Sequence, residues 1–257
     1  MVVKNKEDKE ILEASEITRT ENIFESWVPK TILGKQVKNK EVVDIDEILD
    51  KGTKIFEPEI VDALVPNLES ELLLLGQAKG KFGGGQRRAF KQTQKKTREG
   101  NKIKFTTAAV VGNGDGYVGI GFGSSQETMP AREKSVKSAK LNLIKIVRGS
   151  GSWESDTSEP HSIPFAVEGK CGSVVVKLIP APKGTGLKAQ GEVAKILKMA
   201  GIKDVWSKAR GKTTSRMNVI KATFEALKKT MTTHTLLEHK AIIGLHEGSS
   251  AVKKGEE

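Results

Sequence analysis

A single cysteine, Cys171, stands in this chain of 257 residues. That excludes a disulfide framework and any zinc site built from several thiolates of one chain, and it suits a reducing compartment. With no histidine near it in sequence and a strand-like segment before it, Cys171 is expected to be buried and inert. Aromatic residues make up only 5% of the chain, so the core must be aliphatic and few rings can stack on bases. The four histidines, His161, His234, His239 and His246, are scattered. Only His234 and His239 are close, and a spacing of five residues does not share a helix face, so surface histidines are expected rather than a metal site. The longest purely aliphatic run, Leu72–Leu75, falls far short of the ~20 residues of a membrane-spanning helix. The N-terminus lacks the apolar core of a signal peptide. These absences predict a soluble, cytosolic protein with no membrane partner, long enough for two ordinary domains.

Basic residues are plentiful and unevenly placed. Residues 1–76 hold 10 Lys and Arg against 17 Asp and Glu, whereas residues 77–257 hold 33 against 15. A mildly acidic arm therefore precedes a strongly basic body, which points to a polyanionic partner. The densest stretch, Lys79 to Lys104, carries ten cations and one acid, Glu99. Such charges repel one another unless an anion neutralises them. Lys and Arg set among Gly, Gln and Thr offer charge, donors and a backbone that can approach phosphate. Only Phe82, Phe90 and Phe105 lie nearby, which favours recognition of backbone and shape over stacked bases.

Along the chain, residues 1–22 show no periodic face and are expected to be a tail. Residues 23–70 mix short apolar clusters with acids, with short helices expected at Asp46–Leu49 and Pro58–Asp62. This arm is expected to build no core of its own. Strand-like residues from Ile103 to Val111, a glycine-rich turn at Gly112–Gly116, and Tyr117 to Phe122 predict a hairpin. Helical spacing then predicts a helix from Met129, with Val136, Ala139, Leu143, Ile146 and Val147 near one face and Lys134, Lys137 and Lys145 making the remainder basic. Gly149–Ser152 and Ser155–Pro160 have linker composition.

Val174–Ile179 reads as a strand covered on both sides, followed by a basic loop, Pro180–Gly186. Val193, Ile196, Leu197 and Ala200 form a helical stripe with Gly201 as its stop. A short strand near Val205 leads to a loop, Lys208–Ser215, and a second helix is expected to bury Met217, Ile220, Phe224, Leu227 and Met231. The class is α+β: a sheet with one covering helix, then a smaller sheet with two helices. The expected boundaries are an N-terminal extension over 1–56, a first domain over 57–150, a linker over 151–162, a second domain over 163–235 and a C-terminal tail over 236–257.

Two glycine patterns mislead. Gly114–Gly119 has the dinucleotide spacing, yet a strand follows it where that fingerprint needs a helix; turn glycines explain it better. Gly80 and Gly85 have P-loop spacing, but Gln86-Arg87 replaces the required Lys-Ser/Thr. Asp115 is expected in the turn for local reasons. Pro182–Gly186, with Lys183 and Lys188, fits an anion site at a helix N-terminus and a plain connection about equally. Lys208, Arg210, Lys212 and Arg216 with Thr214 and Ser215 fit either an anion site or a helix cap. The candidate RNA-binding residues are Arg87, Arg88, Lys91, Gln92, Lys95, Lys96, Arg98, Lys102, Lys104, Lys183, Lys188, Lys208, Arg210, Lys212 and Arg216. No catalytic constellation and no cofactor motif accompanies them.

Val110-Val-Gly-Asn-Gly-Asp-Gly-Tyr-Val-Gly-Ile-Gly-Phe-Gly123 resembles the signature hairpin of the universal ribosomal protein S5 family of the small subunit. Leu178–Gly186, Met199–Trp206, Ala209–Gly211 and Lys221–Leu227 continue the resemblance in order, from residue 57 to about 230, and the N-terminal arm is similar to the archaeal and eukaryotic branch. The resemblance implies a first domain like a double-stranded-RNA-binding fold and a second with a left-handed βαβ crossover, a rare hand. It implies a non-enzymatic constituent of the small subunit, in contact with ribosomal RNA and with neighbouring proteins, notably S4, near the messenger path, with roles in assembly and decoding accuracy. The loop Thr97–Lys102, led into by Arg87–Lys96, matches the family's loop toward the decoding region. Two other readings stay open: a free regulator binding double-stranded RNA, and an enzyme like the small-molecule kinases that share the second fold, for which Pro182–Leu187 offers only Thr185 as a hydroxyl.

Overall fold

The computed structural model describes residues 27–65, 67–77, 87–155, 158–232 and 244–248, in two compact units that divide between Leu68 and Glu69. The expected N-terminal tail, Lys79, Lys81 and Gly83–Gly85, His234, His239 and the C-terminal residues from 249 lie outside the described residues.

Among the described residues the first unit has three short helices: α1 (Ile32–Lys38), α2 (Ile45–Asp50) and α3 (Pro58–Leu64). The latter two cover the helices expected from sequence. Thr31 caps α1 by accepting the Gly34 N–H at 3.0 Å, and Pro58 opens α3 where no N–H is required. The expectation that this arm builds no core is corrected, because the unit buries Trp27, Val37, Ile45, Ile48, Ile55, Ile60, Val61 and Val65. Each short helix contributes one or two apolar residues, too few for a periodic signal. Glu57 is its polar anchor: it accepts from Trp27 Nε1 at 2.9 Å, from the Lys30 N–H at 2.9 Å and from the Thr31 N–H at 2.6 Å.

Burial pushes the Glu57 carboxyl up, but the hydrogen bonds from Thr31, Lys30 and Trp27 together outweigh it and hold the group below its ordinary value of 4.5. A carboxylate depressed in the folded state stabilises above its unfolded pKa, and that contribution is lost as pH falls from about 4.5 through the folded pKa. Glu57→Ala is expected to destabilise this unit by about 2 kcal/mol at neutral pH, since it strands three donors. The difference from the parent should shrink below about pH 4.5. Urea denaturation followed by Trp27 fluorescence, with Trp153 and Trp206 replaced by Phe, checks both statements; a difference that grows on acidification would be wrong in sign.

The second unit opens with an antiparallel sheet of β1 (Glu69–Leu73), β2 (Lys91–Thr97), β3 (Gly100–Gly112), β4 (Tyr117–Ser125) and β5 (Leu143–Lys145), in the order β1-β3-β4-β5. β1 pairs with the Ala108–Gly112 half of β3, and β2 pairs with its Gly100–Thr106 half. The predicted hairpin is β3–β4, and Gly114 and Gly116 in its turn have φ of +69° and +95°, where an L side chain is strained. Asn113 organises this turn, its Oδ1 accepting the N–H groups of Asp115 at 2.8 Å and Tyr117 at 3.2 Å. The local explanation for Asp115 is corrected: its carboxylate pairs with the guanidinium of Arg148, itself buried.

Gly119, Gly121 and Gly123 have a different purpose. They alternate along one face of β4, opposite Val111, Ala109 and Thr107, and helix α4 (Thr128–Leu141) lies on that face. A Cβ on any of the three would sit under 3.0 Å from the backbone of α4 at Ala131, Ser135 or Ala139. Thr107 Oγ1 donates to the Ala131 carbonyl at 2.9 Å across the same contact. The helix face is thus made of small residues four apart rather than of large apolar ones. The predicted helix through Val147 is corrected, since α4 ends at Leu141 and Leu143–Lys145 continue as a strand. Leu143, Ile146 and Val147 are buried all the same, so their helix-like spacing is accidental. Lys145, expected on a basic outer face, is only 6% exposed.

The opposite face of this sheet, with Ala108, Val110, Val118 and Ile120, joins one continuous core with Val176, Leu178, Val193, Ile196, Leu197, Ile220 and Leu227. Those residues come from a second sheet of β7 (Val167–Cys171), β8 (Val174–Pro180), β9 (Leu187–Lys188) and β10 (Val205–Arg210), ordered β7-β8-β10-β9. Only β9 and β10 run parallel, with α5 (Gly191–Met199) between them. The predicted stripe of α5 is buried, and Gly201, at φ +80°, ends it. The described part of the unit also has a short pair, β6 (Val147–Arg148) with β11 (His246–Glu247), and the helix α6 (Arg216–Thr232).

α6 buries Val219, Ile220, Ala222, Thr223, Ala226, Leu227 and Thr230, a face turned by about one residue, ~100°, from the predicted one. Gly169 is the reason: a Cβ there would strike the α6 backbone at Ala222 and Ala226, so strand and helix meet through small residues. The expectation for β8 is also corrected. Val174, Val176 and Leu178 are buried, but Lys177 is exposed and Val175 and Ile179 only half-buried, so one side of this sheet is open.

Two further expectations fail. His161 is 4% exposed, with Nδ1 3.0 Å from Asp204 Oδ2 and Nε2 3.3 Å from Ser155 Oγ. Ser150, Ser152 and Ser162 are buried as well, with Gly149 and Ser162 bridged. Cys171 is half-buried.

Candidate nucleic-acid interface

The β2–β3 ribbon holds nine of the fifteen predicted residues or leads directly into it. Lys91 to Lys96 and Gly100 to Lys104 are exposed without interruption, which on a strand means that both faces are open. Register divides those faces. Lys91 stands opposite Thr106, Thr93 opposite Lys104, and Lys95 opposite Lys102; paired residues in an antiparallel ladder project to the same side. Lys91, Lys95, Lys102 and Lys104 therefore share one face, whereas Gln92, Gln94, Lys96, Asn101 and Ile103 share the other. Lysines placed directly opposite each other destabilise a hairpin, and Lys102 relieves this through Glu99 at 3.1 Å, both side chains being largely exposed. Arg98 is exposed in the connecting turn, held by Thr97 Oγ1 donating to the Gly100 carbonyl at 2.7 Å.

Arg87 and Arg88, both exposed, lead into the ribbon beside a cleft of about 520 Å³. That cleft is also lined by Lys91, Gln92, Thr214, Ser215 and Arg216, so the fold brings the first basic stretch up against the start of α6. Arg216 is internally engaged: its Nη1 lies 3.2 Å from Glu192 Oε1. Burial, and then the proximity of Arg87, push its guanidinium below its ordinary value while Glu192 pulls it back.

The remaining predicted residues are separate from this ribbon. Lys183 is exposed but pairs with Glu159 at 2.6 Å, and Lys183 in turn holds that carboxyl below its ordinary value. The loop carrying it leads to β9 rather than straight to a helix, and Thr185 Oγ1 donates to the Pro182 carbonyl at 2.8 Å, which commits the one hydroxyl available to a kinase-like loop. Lys212 is exposed in the turn before α6. Lys208 and Arg210, expected in a loop, lie on β10, paired with β8 at Lys177 and Val175. This places them, with Lys188, on the open side of the second sheet. Lys170 and Lys177 join them there, and periodicity missed both because Lys177 interrupts an apolar run; the alternation of β8 about Lys177 was the available signal.

Among the described residues no helix is long and apolar enough to cross a membrane. Residues 76–147 match the family description "Ribosomal protein S5, N-terminal domain", and residues 169–240 match "Ribosomal protein S5, C-terminal domain". The chain is 52% identical over 206 residues to the small ribosomal subunit protein uS5 of Nanoarchaeum equitans, covering 80% of this chain and 88% of that protein. The uS5 of Methanocaldococcus jannaschii is 45% identical over 226 residues, covering 88% and 97%. That of Pyrobaculum calidifontis is 48% identical over 205 residues, covering 79% and 94%.

Proposed function

The chain belongs to the ribosomal protein S5 family, in its archaeal-like branch, and we propose on that basis that it is a structural, non-enzymatic constituent of the small ribosomal subunit, bound to ribosomal RNA in the cytoplasm. The observation that carries the RNA contact is the β2–β3 ribbon, exposed on both sides and lined on one by four lysines. Within the ribbon Glu99 answers Lys102, so phosphates are the natural counter-charge of Lys91, Lys95 and Lys104. Arg87, Arg88, Lys91, Gln92, Lys95, Lys96, Arg98 and Lys104 are assigned to RNA, with Lys188, Lys208, Arg210 and Lys212 as a second group. Lys102, Lys183 and Arg216 already have carboxylate partners and are assigned to holding the fold.

The finer reading follows the family. The first sheet with α4 corresponds to a double-stranded-RNA-binding fold over 57–150, and β9-α5-β10 is the left-handed crossover of a second domain over 163–235. The turn Thr97–Lys102 reaches toward the decoding region, S4 is the principal protein neighbour, and the protein supports assembly and accuracy. Sedimentation of cell extract tests the assignment. The protein should travel with small subunits at about 0.1 M monovalent salt and leave them as salt rises; migration free of subunits at that salt overturns it. Lys91→Gln, Lys95→Gln and Lys104→Gln together should lower the slope of log affinity for the subunit RNA against log salt by about 2 to 3.

A further inference from the structure

The open side of the second sheet is a basic surface that the ribbon does not include. Along β10, Trp206, Lys208 and Arg210 alternate with residues that face the helices, and along β8 so do Val175, Lys177 and Ile179. The register sets Lys208 beside Lys177, Arg210 beside Val175, and Trp206 beside Ile179. On the flanking strands Lys188 stands beside Trp206, Lys170 beside Val175 and Glu168 beside Lys177. Five cations and one carboxylate thus share a face whose strands are about 4.8 Å apart. Lys170, Lys177, Lys188, Lys208 and Arg210 are all exposed, and Trp206 is 36% exposed among them. Lysines on adjacent strands repel, and an exposed indole costs hydration; a flexible polyanion with flat apolar rings relieves both.

We propose that this open sheet face is a second RNA-binding site, which takes a single-stranded segment of ribosomal RNA with its phosphates on Lys177, Lys208 and Arg210 and one unpaired base stacked on Trp206. Cation and aromatic together distinguish it from the β2–β3 ribbon, which has lysines and amides but no exposed tryptophan. Single-stranded RNA fits better than duplex because stacking needs a base outside a helix. The inference rests on the chain being an RNA-bound protein of the small subunit; Lys188, Lys208 and Arg210 already belong to that reading, and what is added is Lys177, Trp206 and the single-stranded class of RNA.

The test uses the full chain and a short single-stranded uridylate oligomer. Trp206 fluorescence, read as the difference between the chain and its Trp206→Leu variant, should be quenched by the oligomer and unaffected by inorganic polyphosphate, which has the charge without the bases. Trp206→Leu should weaken oligomer binding about tenfold and leave the salt slope unchanged. Lys177→Gln with Lys208→Gln and Arg210→Gln should lower that slope by about 2. Far-ultraviolet circular dichroism shows that each variant is folded, which exposed substitutions should permit. Absence of quenching overturns the site, as does equal quenching by polyphosphate, or binding of polyglutamate in place of RNA. If the ribbon variants weaken binding to the subunit RNA while the sheet variants do not, the sheet site fails and the RNA-bound constituent stands. If neither set matters, both fail.

Discussion

Gly121→Val is expected to leave the second unit without a stable fold. A side chain at this position must occupy space already filled by the α4 backbone at Ser135 and Ala139. Added methylenes in a packed core cost about 1–3 kcal/mol where side chains can give way. Here the obstacle is helix backbone, which moves only as a whole, so the loss should exceed about 4 kcal/mol against a total stability of about 5–15 kcal/mol. Gly121→Ala should cost less, about 3 kcal/mol, because one methyl can be met by a small outward shift of the helix. Gly191→Ala is the control: an added Cβ there meets nothing within 4 Å, and its effect should stay within about 0.5 kcal/mol. Thermal unfolding followed by circular dichroism orders the three variants. A Gly121→Val protein melting with the parent would mean that α4 does not approach the sheet so closely.

The junction of α5, α6 and the end of β1 should be the next most sensitive position. Glu192 is 3% exposed and accepts both the Leu74 N–H at 2.8 Å and Arg216 Nη1 at 3.2 Å. One carboxylate therefore ties the first sheet to both helices of the second. Glu192→Ala strands the half-buried Leu74 amide and leaves Arg216 facing Arg87 without compensation. The expected loss is about 3 kcal/mol, below the full cost of breaking a wholly buried pair because Arg216 is about a fifth exposed. Glu192→Gln with Arg216→Met should recover much of it, since no unpaired charge remains. Urea unfolding measures both variants, and equal destabilisation of the two would show that the pair is not coupled. Binding to the subunit RNA should fall with Glu192→Ala even where the fold survives, because Arg87 and Arg88 border the cleft above this junction.

The candidate site was legible where charge density alone identifies it. Arg87 to Lys104 needed no tertiary information, because a run of cations with one acid implies an anionic partner in any fold. The division of that run into a lysine face and an amide face was not legible. It depends on which residue of β2 stands opposite which residue of β3, and a slip by one residue would exchange the faces. Lys208 and Arg210 were found, but as a loop; only pairing with β8 reveals that they share a surface with Lys170, Lys177 and Trp206. Engagement of Lys102, Lys183 and Arg216 by acids was equally hidden, since two of the three partners lie more than twenty residues away in the chain.

By itself, the sequence determined the family, the α+β class, the β3–β4 hairpin, the buried stripe of α5 and the basic ribbon, because each rests on local composition, short-range spacing or an ordered series of motifs. Tertiary structure alone decided why three glycines alternate along β4, where α4 ends, which way α6 turns, and that His161 and Asp115 have distant partners. These depend on close approach between elements, and small residues that permit such approach leave no mark on hydrophobic periodicity. The pattern of large apolar residues shows where a core exists; the missing side chains at Gly121 and Gly169 set how near its walls can come.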